Sequence, residues 1–244
     1  VTPARQSADA PITVAWRDKP PYHYTADGRE RGFLLARAQQ VFAAAGVENR
    51  FVTEPAKRIW ANFHGGKPNY CSIGWYRLPE RERVAQYSAP FHLDLPHTVL
   101  VAPGAQARGH ATLASLLGDM RLSIGVVDGV SYGPEIDALI ARGANQVVRR
   151  TVEPTAMMRM LGVGRASFML LDQEDWEYYR RRDASLRNTV RRDFPDMPAG
   201  LTRYIVCSRD VAPDVMARLN RAIDRVGKAR PGAGQGARRA PGQR

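Results

Sequence analysis

Short runs rich in Val, Ile and Leu alternate with segments of helical period along almost the whole chain, and this alternation restricts the fold more than any single motif. In "PITVAWR" Ile12, Val14 and Trp16 fall on one face of an extended run. From Phe33 to Gly46, Leu34, Leu35, Ala38, Val41, Phe42 and Ala45 form an apolar stripe, with Gly46 placed as the stop. "VENRFVTEP" reads as a second strand ended by Pro55, and "AKRIWANFHGGKP" as a short helix with Ile59, Trp60 and Phe63 on one side. Tyr70 to Gly74 supplies a third strand. Strand and helix in turn make a doubly wound α/β unit.

A second alternation follows. "HTVLVAP", "RLSIGVVDG", "QVVRRTV" and "ASFMLLD" read as strands, separated by the helices "TLASLLGDM", "YGPEIDALIARG" and "EPTAMMRMLGVG" and followed by "QEDWEYYRRR". After the loop "FPDMPAG", "TRYIVCS" is a further strand and "APDVMARLNRAIDRVG" an amphipathic helix, with Met216, Leu219, Ile223 and Val226 facing inward. The 244 residues suit two modest lobes.

No apolar run approaches the roughly 20 residues of a membrane-spanning helix. The chain starts at Val1 rather than Met, which points to a removed leader, a secretory signal peptide or a trimmed end. Its formal charge is +12, part of it carried by the Gly/Pro/Arg-rich tail "KARPGAGQGARRAPGQR", for which disorder is expected. Arg180, Arg181, Arg182, Arg187, Arg191 and Arg192 crowd one further region. Such a surface attracts anions in general. With no C2H2 spacing, no RNP-type motif and no P-loop, nucleic acid is not an expected partner. Cys71 and Cys207 suit either one disulfide or two buried thiols, and neither has metal-site spacing, so no metal or cofactor is expected. His64, His92, His97 and His110 read as loop or surface residues, and Met157, Met158 and Met160 as core.

The motifs in order resemble the family 3 extracellular solute-binding proteins, which carry the type II periplasmic-binding fold of amino-acid ABC importers. The likeness runs from about Ile12 to Val226. It rests on "KPPYHYTADGRERGF" after the first strand, on the strand ending at Gly74 followed by "LPERE" and "YSAPF", on "DGVSYG" (Asp128 to Gly133), and on "GRASFMLLD" (Gly164 to Asp172). The resemblance implies a two-lobed type II periplasmic-binding-protein-like α/β fold with a two-strand hinge made by "HTVLVAP" and "TRYIVCS". Residues 1–96 and 202–228 would form lobe 1, residues 97–201 lobe 2, and residues 229–244 a disordered tail. A solute would be held between the lobes.

Site residues follow from the same resemblance. Gly74 would let backbone approach the ligand, Trp75 and Tyr76 would line the wall, and Arg81 would grip a carboxylate through its planar fork. Backbone N–H groups around Val130 and Ser131 would receive the same anion at a helix start. Asp172 would take an ammonium group, and Tyr22 would offer an aromatic face. Each has a plainer reading. Arg81 sits among Glu80, Glu82 and Arg83 and suits a solvated charge cluster, Trp75 and Tyr76 suit core, Asp172 suits a helix N-cap, and Tyr22 suits packing on Pro21. The implied topology also sets "YIVCS" beside "YCSIGW", so that a Cys71–Cys207 disulfide is expected in an oxidising periplasm.

Two positions depart from the family pattern. Ala36 and Ser167 stand where the family carries aspartates, which gives the expected cleft fewer carboxylates, weakens the case for an ordinary amino acid and leaves room for a solute with more negative charge or of another kind. The implied function is a non-catalytic, monomeric periplasmic receptor that passes a small polar or anionic, amino-acid-like solute to an ABC permease or a membrane sensor. A sensory or interaction module with a degenerate cleft is the alternative. A cyclic-acid dehydratase on the same fold is another, with Glu153 and Asp172 as the only carboxylates to propose.

Overall fold

The computed structural model describes residues 11–107 and 109–227; the expectation for the tail at 229–244 lies outside the described residues. The first part of the chain runs β1 (Ile12–Trp16), β2 (Tyr24–Ala26), β3 (Arg29–Arg31), α1 (Phe33–Ala45), β4 (Asn49–Thr53), α2 (Ala56–His64), β5 (Tyr70–Tyr76), α3 (Pro79–Glu82), β6 (Ala85–Tyr87) and β7 (His92–Leu93). The middle runs β8 (Thr98–Val101), α4 (Leu113–Leu117), β9 (Ser123–Val127), α5 (Pro134–Arg142), β10 (Gln146–Arg150), α6 (Pro154–Gly162), β11 (Phe168–Leu171), α7 (Gln173–Tyr179), a 3-10 turn at Ala184–Leu186 and β12 (Val190–Arg192). β13 (Thr202–Ser208) and α8 (Pro213–Val226) close it.

Two sheets result. One has the order β4-β1-β5-β13-β6, with β7 also on β13; the other has β10-β9-β11-β8-β12. β1 pairs in parallel with β4 and β5, while β13 returns antiparallel to β5. In the second sheet β9 pairs in parallel with β10 and β11, and β8 runs antiparallel to β11. The two strands expected to cross between lobes each stay within one sheet. The crossings are the segments 94–97 and 193–201 that flank them, joined to each other where Asp94 N–H donates to the Leu201 carbonyl at 3.0 Å.

β5 is central, and every residue of "YCSIGWY" is buried. On one face of its sheet, Leu34, Leu35, Ala38, Val41 and Phe42 of α1 pack with Leu219 and Ile223 of α8. On the other, Ile59 and Phe63 of α2 pack with Ala15, Tyr70, Trp75 and Val206. Each fully buried Leu, Ile or Phe removes enough apolar area from water to contribute about 1.5–3 kcal/mol. Gly32 opens α1 at φ 121°, and a Cβ there would lie 2.2 Å from the Tyr22 carbonyl oxygen. This close backbone contact fixes the loop that carries Lys19 and Tyr22. At the other end Gly46 takes φ 62° and its N–H bonds back to the Ala43 carbonyl, the left-handed stop expected of it.

The loop after β1 holds an unexpected hairpin. Asp27 and Gly28 both take positive φ, 53° and 68°, and join β2 to β3. All of β3 is exposed, so no apolar alternation marks it. Cys71 and Cys207 face each other across β5 and β13 and are joined, Sγ–Sγ 2.06 Å.

Candidate functional site

The carboxyl ends of β1, β5, β9 and β11 and the start of β13 converge on one cleft between the sheets, with about 650 Å³ of empty space including its mouth. Strand ends of this kind are where open α/β sheets expose backbone and side chains to a ligand. Gly74, Trp75, Tyr76, Arg81, Val130, Ser131 and Asp172 all line it, together with Arg17, Lys19, His97, Tyr132, Pro154, Met158, Asp175 and Arg203, none of which the sequence reading assigned to a binding site.

Each expected residue takes a defined place. Arg81 does not join a solvated cluster: Glu82 pairs with Arg77, and the Arg81 guanidinium carbon lies 4.4 Å from the Trp60 ring centre and 5.3 Å from that of Trp75. Arg17, from the end of β1, lies 5.0 Å from the same Trp75 ring. Trp75 is therefore both core, against Trp60, and a surface shared by two guanidiniums. Among the described residues neither Arg17 nor Arg81 has a carboxylate oxygen within 4.0 Å. Burial lowers the pKa of Arg81 to about 10, with the neighbouring Arg17 adding to the effect. Arg17 is lowered too, by burial and then by Arg203. Among those residues neither forms an ion pair of its own, although Asp172, Asp175 and Glu153 act on Arg17 at longer range.

Gly74 takes φ 80°, but a Cβ there would point at His23 and Leu34, 3.0 and 3.1 Å away, not at the cleft. Its glycine is required by the backbone turn and the lobe 1 core, and its carbonyl accepts from Arg203 Nη1 at 2.9 Å. Tyr22 does not line the cleft. It is fully buried, tilted against Phe33, with its ring contacted by Lys19 Nζ at 4.4 Å and the Arg203 guanidinium at 4.7 Å. Its hydroxyl donates to Glu174 at 3.1 Å. Near Val130 and Ser131 the start of α5 already holds an internal anion: Asp137 accepts from the Ser131 hydroxyl at 2.5 Å and from the Tyr132 N–H at 2.9 Å. Asp172 stands at the N-cap of α7, yet its side chain makes no cap hydrogen bond.

Asp172 belongs instead to a buried charge network that ties the two sheets together. Lys19 Nζ lies 2.8 Å from Asp172 Oδ2 and 2.6 Å from both oxygens of Asp175. Arg203 Nη2 lies 3.0 Å from Asp172 and 2.8 Å from Asp94 Oδ2. The Tyr76 hydroxyl donates to Asp94 at 2.5 Å. His92 and His97, read from sequence as loop or surface residues, are both buried, with Nε2 atoms 3.3 Å from Asp94 and Asp172 respectively. Burial alone would raise the pKa of Asp172, but Lys19 and Arg203 outweigh it and hold the carboxyl well below the usual range. Asp94 is lowered in the same way, chiefly by Arg203. A carboxylate so fixed in its ionised form is poorly suited to proton transfer at neutral pH, and Glu153 does not line the cleft.

Asp175 behaves differently. Burial pushes its pKa up to about 6, against the pull of Lys19 and with a further push from Asp172. A folded-state pKa above the ordinary aspartate value of about 3.9 means that the folded protein binds this proton more tightly. The stabilising contribution is complete below about pH 4 and is lost as pH rises through 6. Differential scanning calorimetry between pH 4.5 and 7 should therefore show Asp175→Asn losing part of the wild type's pH dependence, the gap between the two melting temperatures changing through pH 6. A constant gap across that window would contradict the assignment.

Neither departure from the family pattern bears on this cleft. Ala36 is exposed on the outer side of α1. Ser167 bonds to Ser123 at the start of β9, the end of that strand opposite the cleft. The predicted poverty in carboxylates is thus replaced by carboxylates that are present but engaged.

Two sheets joined by a pair of crossing segments, with a polar cleft at their facing strand ends, define a two-lobed, hinge-type binding protein. The sequence profile of the bacterial extracellular solute-binding proteins, family 3, matches residues 12–229, and the chain belongs to that family. Solved structures agree on the fold. A mutant of the Thermotoga maritima protein ArgBP superposes with TM-score 0.70 at 19% identity, covering 88% of each chain. The arginine-, lysine-, histidine-binding protein ArtJ from Geobacillus stearothermophilus gives 0.69 at 17%, covering 89% of each. The periplasmic VFT2 domain of Bordetella pertussis BvgS gives 0.72 at 17%, covering 88% of each. A search of the curated proteins finds no match.

Proposed function

We propose that the chain is a periplasmic receptor that closes on a small anionic solute and presents it to a membrane partner, an ABC permease. The observation that carries this is the pair of guanidiniums, Arg17 and Arg81, held on either side of Trp75 in the interlobe cleft without a carboxylate of their own. Desolvating two cations is unfavourable unless something pays that cost, and a bound oxyanion gives two-sided, charge-assisted hydrogen bonds. The protein acts as a monomer after loss of a signal peptide, and binding rather than catalysis is its role. Family membership supports the solute-binding reading, and the ligand classes of distant relatives do not transfer at this identity.

A second reading has one observation in its favour. Lys19 to Asp172 and Asp175, Tyr22 to Glu174, and Lys57 to Asp128 at 3.1 Å all link residues that follow strands of different sheets. Lobes drawn together by their own ion pairs suit a sensory module whose resting state is closed, with the solute altering that state.

A thermal-shift panel of small mono- and dicarboxylates, amino acids and polyamines tests the proposal, since a ligand at 100 times its Kd stabilises by about 2.7 kcal/mol. Carboxylates should raise the melting temperature and polyamines should not. For the tightest carboxylate, Arg81→Met should weaken binding by at least tenfold, the scale of losing one partner of a buried charge pair, about 2–5 kcal/mol. Shifts with polyamines alone would contradict the proposal.

A further inference from the structure

We infer that all but one of the carboxylate oxygens in this cleft able to accept an amine are already taken by the chain's own Lys19 and Arg203, so that the solute is a carboxylate or similar oxyanion without an amino group. The inference rests on the function proposed above and narrows it.

An ammonium group has three N–H donors and needs acceptors for them. The cleft offers Asp172, Asp175 and the Gly74 carbonyl, with Asp94 behind them. Lys19 Nζ takes both oxygens of Asp175 and one of Asp172 at 2.6–2.8 Å, the coordination a ligand ammonium would seek. Arg203 takes the same Asp172 oxygen at 3.0 Å, the Gly74 carbonyl at 2.9 Å, and Asp94. The remaining Asp172 oxygen, Oδ1, is buried 3.3 Å from His97 Nε2 and makes no hydrogen bond, so it leaves at most one open acceptor for the three donors of an ammonium group. Lys19 and Arg203 are only 6% and 3% exposed, so neither is a passing surface cation.

A zwitterionic amino acid entering this cleft meets two penalties. Its ammonium either displaces Lys19, leaving a buried cation without acceptors, or joins Lys19, Arg203 and Arg17 as a further positive charge in a poorly solvated space. A carboxylate meets neither and supplies what Arg17 and Arg81 lack. The lining residues carry four cations, Arg17, Lys19, Arg81 and Arg203, against Asp172, Asp175 and the Asp94 that Arg203 also pairs, an excess of one positive charge that favours a net anion over a zwitterion. The rest of the wall, Val127, Val130, Tyr132, Pro154 and Met158, is largely apolar and fits a hydrocarbon or aryl body.

Isothermal titration calorimetry on the full chain tests this with pairs that differ only in the amino group: 3-phenylpropanoate against phenylalanine, 4-methylpentanoate against leucine, and glutarate against glutamate. The member without the amino group should bind at least tenfold more tightly in the pairs that bind. In Lys19→Met, which frees Asp172 and Asp175, the amino acid should gain at least tenfold relative to its partner. The wild-type pairs decide the matter whether or not the variant folds. Equal or tighter binding of the amino acids by the wild type overturns the inference and leaves the receptor reading standing. Absence of binding by every member of every pair overturns both.

Discussion

Arg203→Met lowers stability by about 3–5 kcal/mol, the cost of leaving buried acids without their cation, or roughly 10 °C in Tm for a chain of this size. Arg203 bonds to Asp94, Asp172, the Gly74 carbonyl and the Tyr76 hydroxyl at 2.8–3.0 Å. Removing it takes the arginine from Asp94, 4% exposed, and leaves Asp172, 6% exposed, with Lys19 alone. Methionine replaces most of the volume and none of the charge, so the loss reports electrostatics and not a cavity. Pairing the change with Asp94→Leu should recover part of the loss, because the double variant no longer buries that unpaired acid. Urea melts at pH 7 check both. A change below about 1 kcal/mol for Arg203→Met would mean that the network relaxes into water and does not knit the lobes together.

The second large effect concerns Cys71 and Cys207. Their bond links positions separated by 136 residues, joining two central strands of the first sheet around the entire second lobe. Closing so long a loop removes much freedom from the unfolded chain, and loss of a native disulfide typically costs about 2–5 kcal/mol. Reduction, or Cys71→Ala with Cys207→Ala, should lower the unfolding free energy from urea melts by that amount, with a lower midpoint. Both cysteines are fully buried, so reduction should be slow without denaturant. Identical midpoints for oxidised and reduced protein would remove the bond from the account of stability.

Much of the fold was legible because it is written in burial. β5 is a continuous buried run flanked by turn residues, and α1 carries an apolar stripe ended by a left-handed glycine. The hairpin of β2 and β3 left no such trace, since only Tyr24 of its six strand residues is buried and the Asp27–Gly28 turn joins the rest. In the site, residues at the end of β5 and the start of α7 were legible through a family pattern. The cations that answer Asp172 were not, although a signal existed. A lone arginine near the start of "TRYIVCS", a strand otherwise fit for the core, must find buried acids. Arg17 and Lys19 follow β1 at its carboxyl end, where an α/β sheet opens to its ligand. What one chain cannot reveal is which distant carboxylate each cation meets, because Lys19 and Asp175 are 156 residues apart and only the closed arrangement of lobes brings them together.

A co-crystal structure with the tightest-binding carboxylate from the calorimetry tests the central claim most directly. The carboxylate oxygens should lie about 2.7–3.2 Å from guanidinium nitrogens of Arg81 and Arg17, beside Trp75, with Lys19 still on Asp172 and Asp175. A carboxylate bound elsewhere on the protein, with both guanidiniums left bare in the crevice, would contradict it.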